Sequence, residues 1–256
     1  MFEINLSYDL ILILFMASCF AGFIDALAGG GGLITVPLLL LTGMSPLAAI
    51  ATNKFQAVFG TPTSSITVYR KKIVTKQDVF QLVFASLAGS CIGAIVLLFV
   101  DAKKLEIIIP IILLSIAFYF LFAPKIKDDG QRQPKISRPL YRFVIVPIIG
   151  FYDGILGPGT GSFFAAAGVA LRGQNLVKST SIAKFLNLAS NLAALIIFIF
   201  SGHVVWLIGA IMIFGQILGG YLGSMAIING GTKFIRPLII VMSFGMTGKY
   251  IYTVWL

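Results

Sequence analysis

Asp25 and Asp153 are carboxylates set in apolar sequence, and each is followed by a cluster of glycine. The first stretch reads Gly22-Phe23-Ile24-Asp25, then Gly29-Gly30-Gly31-Gly32. The second begins 128 residues later as Gly150-Phe151-Tyr152-Asp153, then Gly157-Pro158-Gly159-Thr160-Gly161. Glycine adopts backbone geometries closed to other residues and lets a ligand approach the main chain. A helix restarting after such a break has unpaired N–H groups at its positive end, which attracts anions. Gly29, Gly30, Gly31, Gly32, Gly157, Gly159, Thr160 and Gly161 are therefore candidate substrate contacts, with Thr35 and Ser162 as further hydroxyl donors. Close helix packing is the plainer use of glycine in apolar sequence. It suits Gly89/Gly93 and Gly219/Gly223, which have small-xxx-small spacing.

Lys54 and Lys184 also interrupt apolar sequence, 130 residues apart. A charge at membrane depth is costly enough that it usually faces a cavity or a partner. Snorkelling toward the interface is the competing explanation, because both lysines lie only one to two turns into their segments. Their surroundings are polar: Thr52, Asn53 and Gln56 in one half, Asn187, Ser190 and Asn191 in the other. Helical spacing puts Asn53, Gln56 and Gly60 near one face. Asn53, Lys54, Lys184 and Asn187 join the candidate substrate contacts. Asp25 and Asp153 are candidate gating or coupling residues. Each is able to neutralise a lysine, to carry a coupling proton, or to hold the helix break by accepting N–H groups. Asp-to-Lys pairing is the more economical role for at least one of them.

The elements that must carry these residues follow from composition. The chain is 58% hydrophobic and 11% charged, with 22 Phe against nine acids and 19 bases. A soluble domain of 256 residues needs more polar surface. Apolar stretches of spanning length recur from end to end, without the polar alternation of a barrel strand. The expectation is an all-α, polytopic membrane protein. Full spans are predicted at 47–69, 79–100, 105–123, 179–200, 204–227 and 234–254, with broken elements of 8–27 plus 33–41 and 140–156 plus 161–171. Residues 10–21 are read as mature structure and not as a signal peptide, because Glu3 and Asp9 stand where basic residues would be expected.

The chain is read as built twice. Residues 1–123 form a first membrane repeat, 124–139 a polar cytoplasmic linker, and 140–256 a second repeat. Lys54-Phe55 corresponds to Lys184-Phe185, and Gly89 and Gly93 correspond to Gly219 and Gly223. Charge argues the orientation. If each Gly-rich element were one crossing, ten bases would face the cytoplasm and six the exterior. If each element enters and returns, Arg172, Lys178, Lys233 and Arg236 change sides. Fourteen bases then lie inside, leaving only Lys103 and Lys104 outside. Arg/Lys asymmetry sets orientation, so the re-entrant arrangement is preferred, and it makes the two repeats inverted. The second arms, 33–41 and 161–171, would extend only about 14–17 Å, too short for a ~30 Å hydrocarbon layer. Each repeat thus has one re-entrant helical hairpin and three full spans.

Other chemistries have little support. His203 lies in the short Ser201-Gly202-His203 stretch, where surface placement is expected, and no Cys or Glu cluster accompanies it to bind metal. Cys19 and Cys91 read as small buried side chains. No Walker sequence points to an ATP-driven motor, and no cofactor is implied. The net charge of +10 sits largely in loops between spans, which speaks for membrane orientation and against nucleic acid.

Taken together, Gly22 to Leu33, Val36-Pro37, Ala51-Thr52-Asn53-Lys54, Gly150 to Gly154, Gly157 to Gly161, and Lys184-Phe185 with Asn187 resemble the sulfite exporter TauE/SafE family of membrane permeases. The resemblance covers essentially the whole chain. It implies a multi-pass protein of the bacterial inner membrane that moves small sulfur-containing or organic anions, such as sulfite or sulfonates. It also implies that the Gly-rich and Asn-Lys elements touch substrate. Ala183 stands where Asn53 stands in the first half, so the site need not be symmetric. The expected function is secondary transport, outward in direction, by a protein that is not an enzyme. Its partners are a small anion, membrane lipid and a proton or other coupling ion, with oligomeric state left open. An anion channel and an intramembrane enzyme are the alternatives.

Overall fold

The computed structural model describes residues 7–70, 74–122, 133–228 and 235–255. Glu3 of the signal-peptide reading, and Lys71, Lys72, Lys125, Lys127, Arg132 and Lys233 of the counted bases, lie outside the described residues. The described chain is helical, with no strand among those residues. In chain order the helices are α1 (Tyr8–Ala28), α2 (Gly32–Leu41), α3 (Pro46–Arg70), α4 (Lys76–Leu98) and α5 (Ala102–Phe122). The chain continues with α6, α7 (Thr160–Arg172), α8 (Leu176–Phe200), α9 (Trp206–Ile228) and α10 (Ile235–Trp255). Helix α6 is one continuous stretch made of Arg138–Leu140, a π-helical turn over Tyr141–Ile145, and Val146–Ile155. The wider turn precedes Pro147, which has no N–H for an ordinary helical bond. The Val146 N–H reaches back to the Tyr141 carbonyl instead.

The predicted spans and broken elements match these helices to within a few residues. Among the described residues, four helices are long and apolar enough to cross a membrane: Tyr8–Leu27, Val79–Leu98, Leu176–Phe200 and Trp206–Ala226. The long arm of the first Gly-rich element therefore has full spanning length by itself. The second arms are short. Helices α2 and α7, of 10 and 13 residues, extend roughly 15 and 20 Å. Large apolar side chains cover the outside of the bundle, among them Leu12, Phe84, Phe143, Ile148, Leu207 and Phe214. In water such a surface would aggregate, so it faces lipid.

Each long arm packs on a span from the other half, α1 on α9 and α6 on α4. Glycine makes both contacts close. A methyl group on Gly89 would sit 2.1 Å from the Pro147 carbonyl oxygen, and one on Gly93 would sit 2.1 Å from that of Phe151. On the other side, a methyl on Gly219 would sit 1.7 Å from the Cys19 carbonyl oxygen, and one on Gly223 would sit 2.5 Å from that of Phe23. Pro147 and Phe151 follow Cys19 and Phe23 by 128 residues, so the two contacts use corresponding positions. The small-xxx-small pairs are packing devices, as their spacing predicts. Two serines on α4 add cross-braces: Ser86 and Ser90 donate to the carbonyls of Leu186 and Ser190 on α8, at 2.8 and 2.6 Å.

The second Gly-rich element turns back on itself. Its two ends meet, because the Lys135 N–H donates to the Leu171 carbonyl at 2.9 Å and the Arg172 guanidinium donates to the Ile136 carbonyl. The start of α4 lies at the same end of the bundle. Arg138 donates to the Gln77 carbonyl at 3.2 Å, and Arg142 donates to the Gln81 side chain at 2.8 Å.

Gly93→Leu and Gly219→Leu should each force a long arm off its partner span. Overpacking of this kind costs about 1–3 kcal/mol and often more at backbone contacts. Thermal melting in detergent should show both variants well below the wild type. Gly248→Ala is the control: nothing lies within 4 Å of the added methyl, and its melting should be unchanged or slightly raised, as alanine favours a helix interior.

Candidate functional site

The two Gly-rich turns touch. A methyl group on Gly29 would stand 2.5 Å from the Gly161 Cα, and one on Gly32 would stand 3.1 Å from the Pro158 Cα. Gly29 has φ 68° and Gly157 has φ 91°, left-handed conformations that favour glycine at both turns. Helix α1 ends at Gly29, and α2 restarts at Gly32. Helix α7 restarts at Thr160, directly after Gly159. The N-terminal ends of α2 and α7 are thereby brought to one place inside the bundle.

A polar cavity opens at this junction. Asp25, Gly29 and Gly32 line it from the first turn, Asn53, Gln56 and Ala57 from α3, and Gly157 from the second turn. Asn187 and Asn191 of α8 and Gln216 of α9 complete the wall. The space they enclose is small, with room for roughly one water molecule. Asn53 is held by Thr35, whose hydroxyl donates to Oδ1 at 2.5 Å, and by Gln56, whose Nε2 donates to the same oxygen at 2.9 Å. Asn191 is oriented by Asn187, with Nδ2 donating to the Asn187 carbonyl at 2.7 Å and to its Oδ1 at 3.1 Å. These amides are buried and cross-linked, so they present fixed polar groups to whatever enters.

The charged residues sit immediately behind the turns. Lys54 Nζ and Asp153 Oδ1 form an ion pair at 2.9 Å, with both side chains at or below 1% exposure. Gly157 covers it. A methyl group there would fall 2.4 Å from Lys54 Nζ and 2.7 Å from Asp153 Oδ1. The pair joins α3 of the first half to α6 of the second, and it is the pairing expected for at least one acid. The corresponding residues behave differently. Lys184 Nζ donates to the Ala26 carbonyl at 2.5 Å, one residue from Asp25. Asp25 Oδ1 accepts the Gly31 N–H at 3.3 Å and so helps to hold the first turn. No ion pair within 4.0 Å joins Lys184 to Asp25 among the described residues.

Of the candidate contacts, Gly29, Gly32, Asn53, Gly157 and Asn187 face the cavity, together with Asp25. Gly30, Gly31, Gly159, Thr160 and Gly161 shape the turns from behind it. Gly30 and Gly159 accept the N–H groups of Leu33 and Phe163, and the Thr160 hydroxyl is turned to the Gly157 carbonyl at 2.7 Å. Gly161 is in backbone contact with Gly29. Lys54 and Lys184 lie behind the cavity and not on its wall. His203 is half-buried, its Nδ1 2.9 Å from the Ser201 hydroxyl, and no cluster able to hold a metal occurs among the described residues.

Gln216 is the wall residue that sequence reasoning missed. Its counterpart in the first half is Ser86, a hydroxyl and not an amide, but Gln216 is a lone amide in the apolar α9 run. That isolation is a usable signal, because a polar residue inside a membrane helix generally faces the interior. Tyr152 was also missed. Its hydroxyl donates to the Pro158 carbonyl at 2.6 Å and braces the second turn.

Comparison with known proteins identifies the chain's relatives. The family model for the sulfite exporter TauE/SafE matches residues 14–250. A probable membrane transporter protein of Haemophilus influenzae is 41% identical over 248 residues, covering 97% of each chain. The probable membrane transporter protein YfcA of Escherichia coli K12 is 41% identical over 240 residues, covering 94% of this chain and 89% of its own. YunE of Bacillus subtilis, also a probable membrane transporter protein, is 24% identical over 237 residues, covering 83% of this chain and 87% of its own. No solved structure matches the chain. With apolar helices of spanning length and relatives named as probable membrane transporter proteins, the chain is a multi-pass bacterial membrane protein, and it belongs to the sulfite exporter TauE/SafE family.

Proposed function

We propose that this protein is a secondary transporter of a small anion, of the size and charge of sulfite or a short sulfonate, and that it moves its substrate outward. The observation that carries this reading is the meeting of the two Gly-rich turns at one polar cavity. In membranes, broken helices occur where protein or a wet cavity covers their ends, and transporters place such ends at their substrate sites. The family's own description, sulfite exporter, supports both the substrate class and the direction.

The anion's contacts are main-chain N–H groups at the start of α2 and in the Gly157 turn, with Asn53 and Asn187 as side-chain donors. Helix N-termini favour negative charge, and amides bind an oxyanion weakly enough to release it. Lys54 and Lys184 supply positive potential from behind the turns, each tempered by its own partner. The halves act as inverted repeats. Two charge pairs cross between them, Lys54 with Asp153 and Lys184 with Asp25. The first is closed and the second open in this conformation. Exchange of the closed pair for the open one would tilt one half against the other and expose the cavity alternately to the two sides.

Two outcomes follow. Lys184→Met should reduce sulfite counterflow in proteoliposomes at least about tenfold, a loss of roughly 1.4 kcal/mol or more of differential interaction, at unchanged insertion. Undiminished flux would remove Lys184 from the mechanism, and flux that never saturates would mark a channel. Asp153→Asn should lower stability by about 3–5 kcal/mol, because it leaves the Lys54 charge buried without its partner. The K54M/D153N double variant should recover most of the lost melting temperature while counterflow stays impaired. Recovery of both would assign the pair to folding alone.

A further inference from the structure

The cavity wall carries spare oxygen acceptors where an anion site would be expected to offer donors. Gln56 and Gln216 are each 2% exposed, and Oε1 of each has no hydrogen-bond partner among the described residues. The Gln56 amide is oriented by its neighbours. Its Nε2 donates to Asn53 Oδ1, the oxygen that also accepts the Thr35 hydroxyl, so Oε1 is the end left over. Gln216 reaches the wall from α9 because Gly60 makes room: a methyl group there would sit 2.1 Å from Gln216 Cγ. Asp25 lines the same cavity and spends one oxygen on the Gly31 N–H. A buried acceptor without a partner is costly, and two of them beside a carboxylate call for an occupant that is positive or rich in donors.

We propose that Asp25, Gln56 and Gln216 form a binding site for one small monovalent metal cation, with Na⁺ as the fitting ion. A hard cation of single charge suits one carboxylate and two neutral amide oxygens, whereas divalent ions are usually held by more carboxylates or by retained water. The cavity is tight, which favours a dehydrated ion of small radius over a bulky organic cation. The charged neighbours are accounted for. Lys54 is neutralised by Asp153, and the Lys184 ammonium is engaged by the Ala26 carbonyl. Asp25, Asp153, Lys54 and Lys184 cancel one another, so a bound cation adds one positive charge to the core. An anion seated beside it restores neutrality. Cation and anion therefore strengthen each other's binding, and by linkage they do so equally. This last step rests on the anion reading above, while the cation site does not.

The test uses the purified full chain in detergent, melted in NaCl, KCl and choline chloride at equal ionic strength. Na⁺ should raise the melting temperature along a saturable curve, K⁺ should do so only at much higher concentration, and choline should not. D25N, Q56L and Q216L should each weaken the apparent Na⁺ affinity at least tenfold. Equal responses to Na⁺ and choline overturn the site, whether or not the variants fold, and so does a Na⁺ response retained by all three variants. Equal potency of K⁺ overturns the assignment to a small ion. Sulfite binding, titrated calorimetrically, should tighten about tenfold in saturating Na⁺. Na⁺ binding with no sulfite binding at all would leave the cation site standing and overturn the anion reading, while sulfite binding indifferent to Na⁺ would overturn the charge coupling.

Discussion

Main chain meets main chain where Gly29 faces Gly161, at a separation that excludes a side chain on either residue. That contact fixes where α2 and α7 begin, and so where their N-terminal N–H groups point. It also determines that residues 25–32 and 153–161, distant in the sequence, share one cavity. The long arms support it from outside by packing onto α9 and α4 through Gly219, Gly223, Gly89 and Gly93. Glycine therefore serves two ends in this bundle: it lets helices approach, and it lets two chain breaks share one position.

The buried charges are the second constraint. An ion pair out of water is costly to form and still more costly to break. Lys54 and Asp153 sit at or below 1% exposure under Gly157, which places the pair directly against the turn that it would move. Lys184 and Asp25 occupy the corresponding positions but use neighbouring backbone groups. One crossing pair is closed and the other is not. The alternation proposed above would start from this asymmetry between matched parts. The same asymmetry appears at Gln56 and Gln216, whose counterparts are Leu186 in the second half and Ser86 in the first.

Much of this was legible beforehand, because the membrane restricts the options. Helix positions followed from apolar length, since backbone polar groups in lipid must be satisfied within a helix. The glycines of α4 and α9 were readable as packing positions from spacing alone. The nearness of the Gly-rich turns to the polar face of Asn53 and Gln56, which line one cavity, was readable because polar residues at membrane depth need a reason. What was not legible was the division of labour within that set. Sequence spacing cannot tell that Thr160 turns its hydroxyl to its own turn, or that Lys54 is taken by Asp153 while Lys184 takes a carbonyl. Gln216 escaped because correspondence between halves was the guide, and this residue departs from it.

The central claim is that the junction of the two turns is where the transported anion sits. The most direct measurement is a structure of the protein in lipid with sulfite or a heavier oxyanion analogue bound. The account predicts density between the start of α2 and the Gly157 turn, within hydrogen-bonding reach of Asn53 and Asn187. Density confined to a lipid-facing groove or to the basic end near Arg138 and Arg172, with the junction left to water, would contradict it.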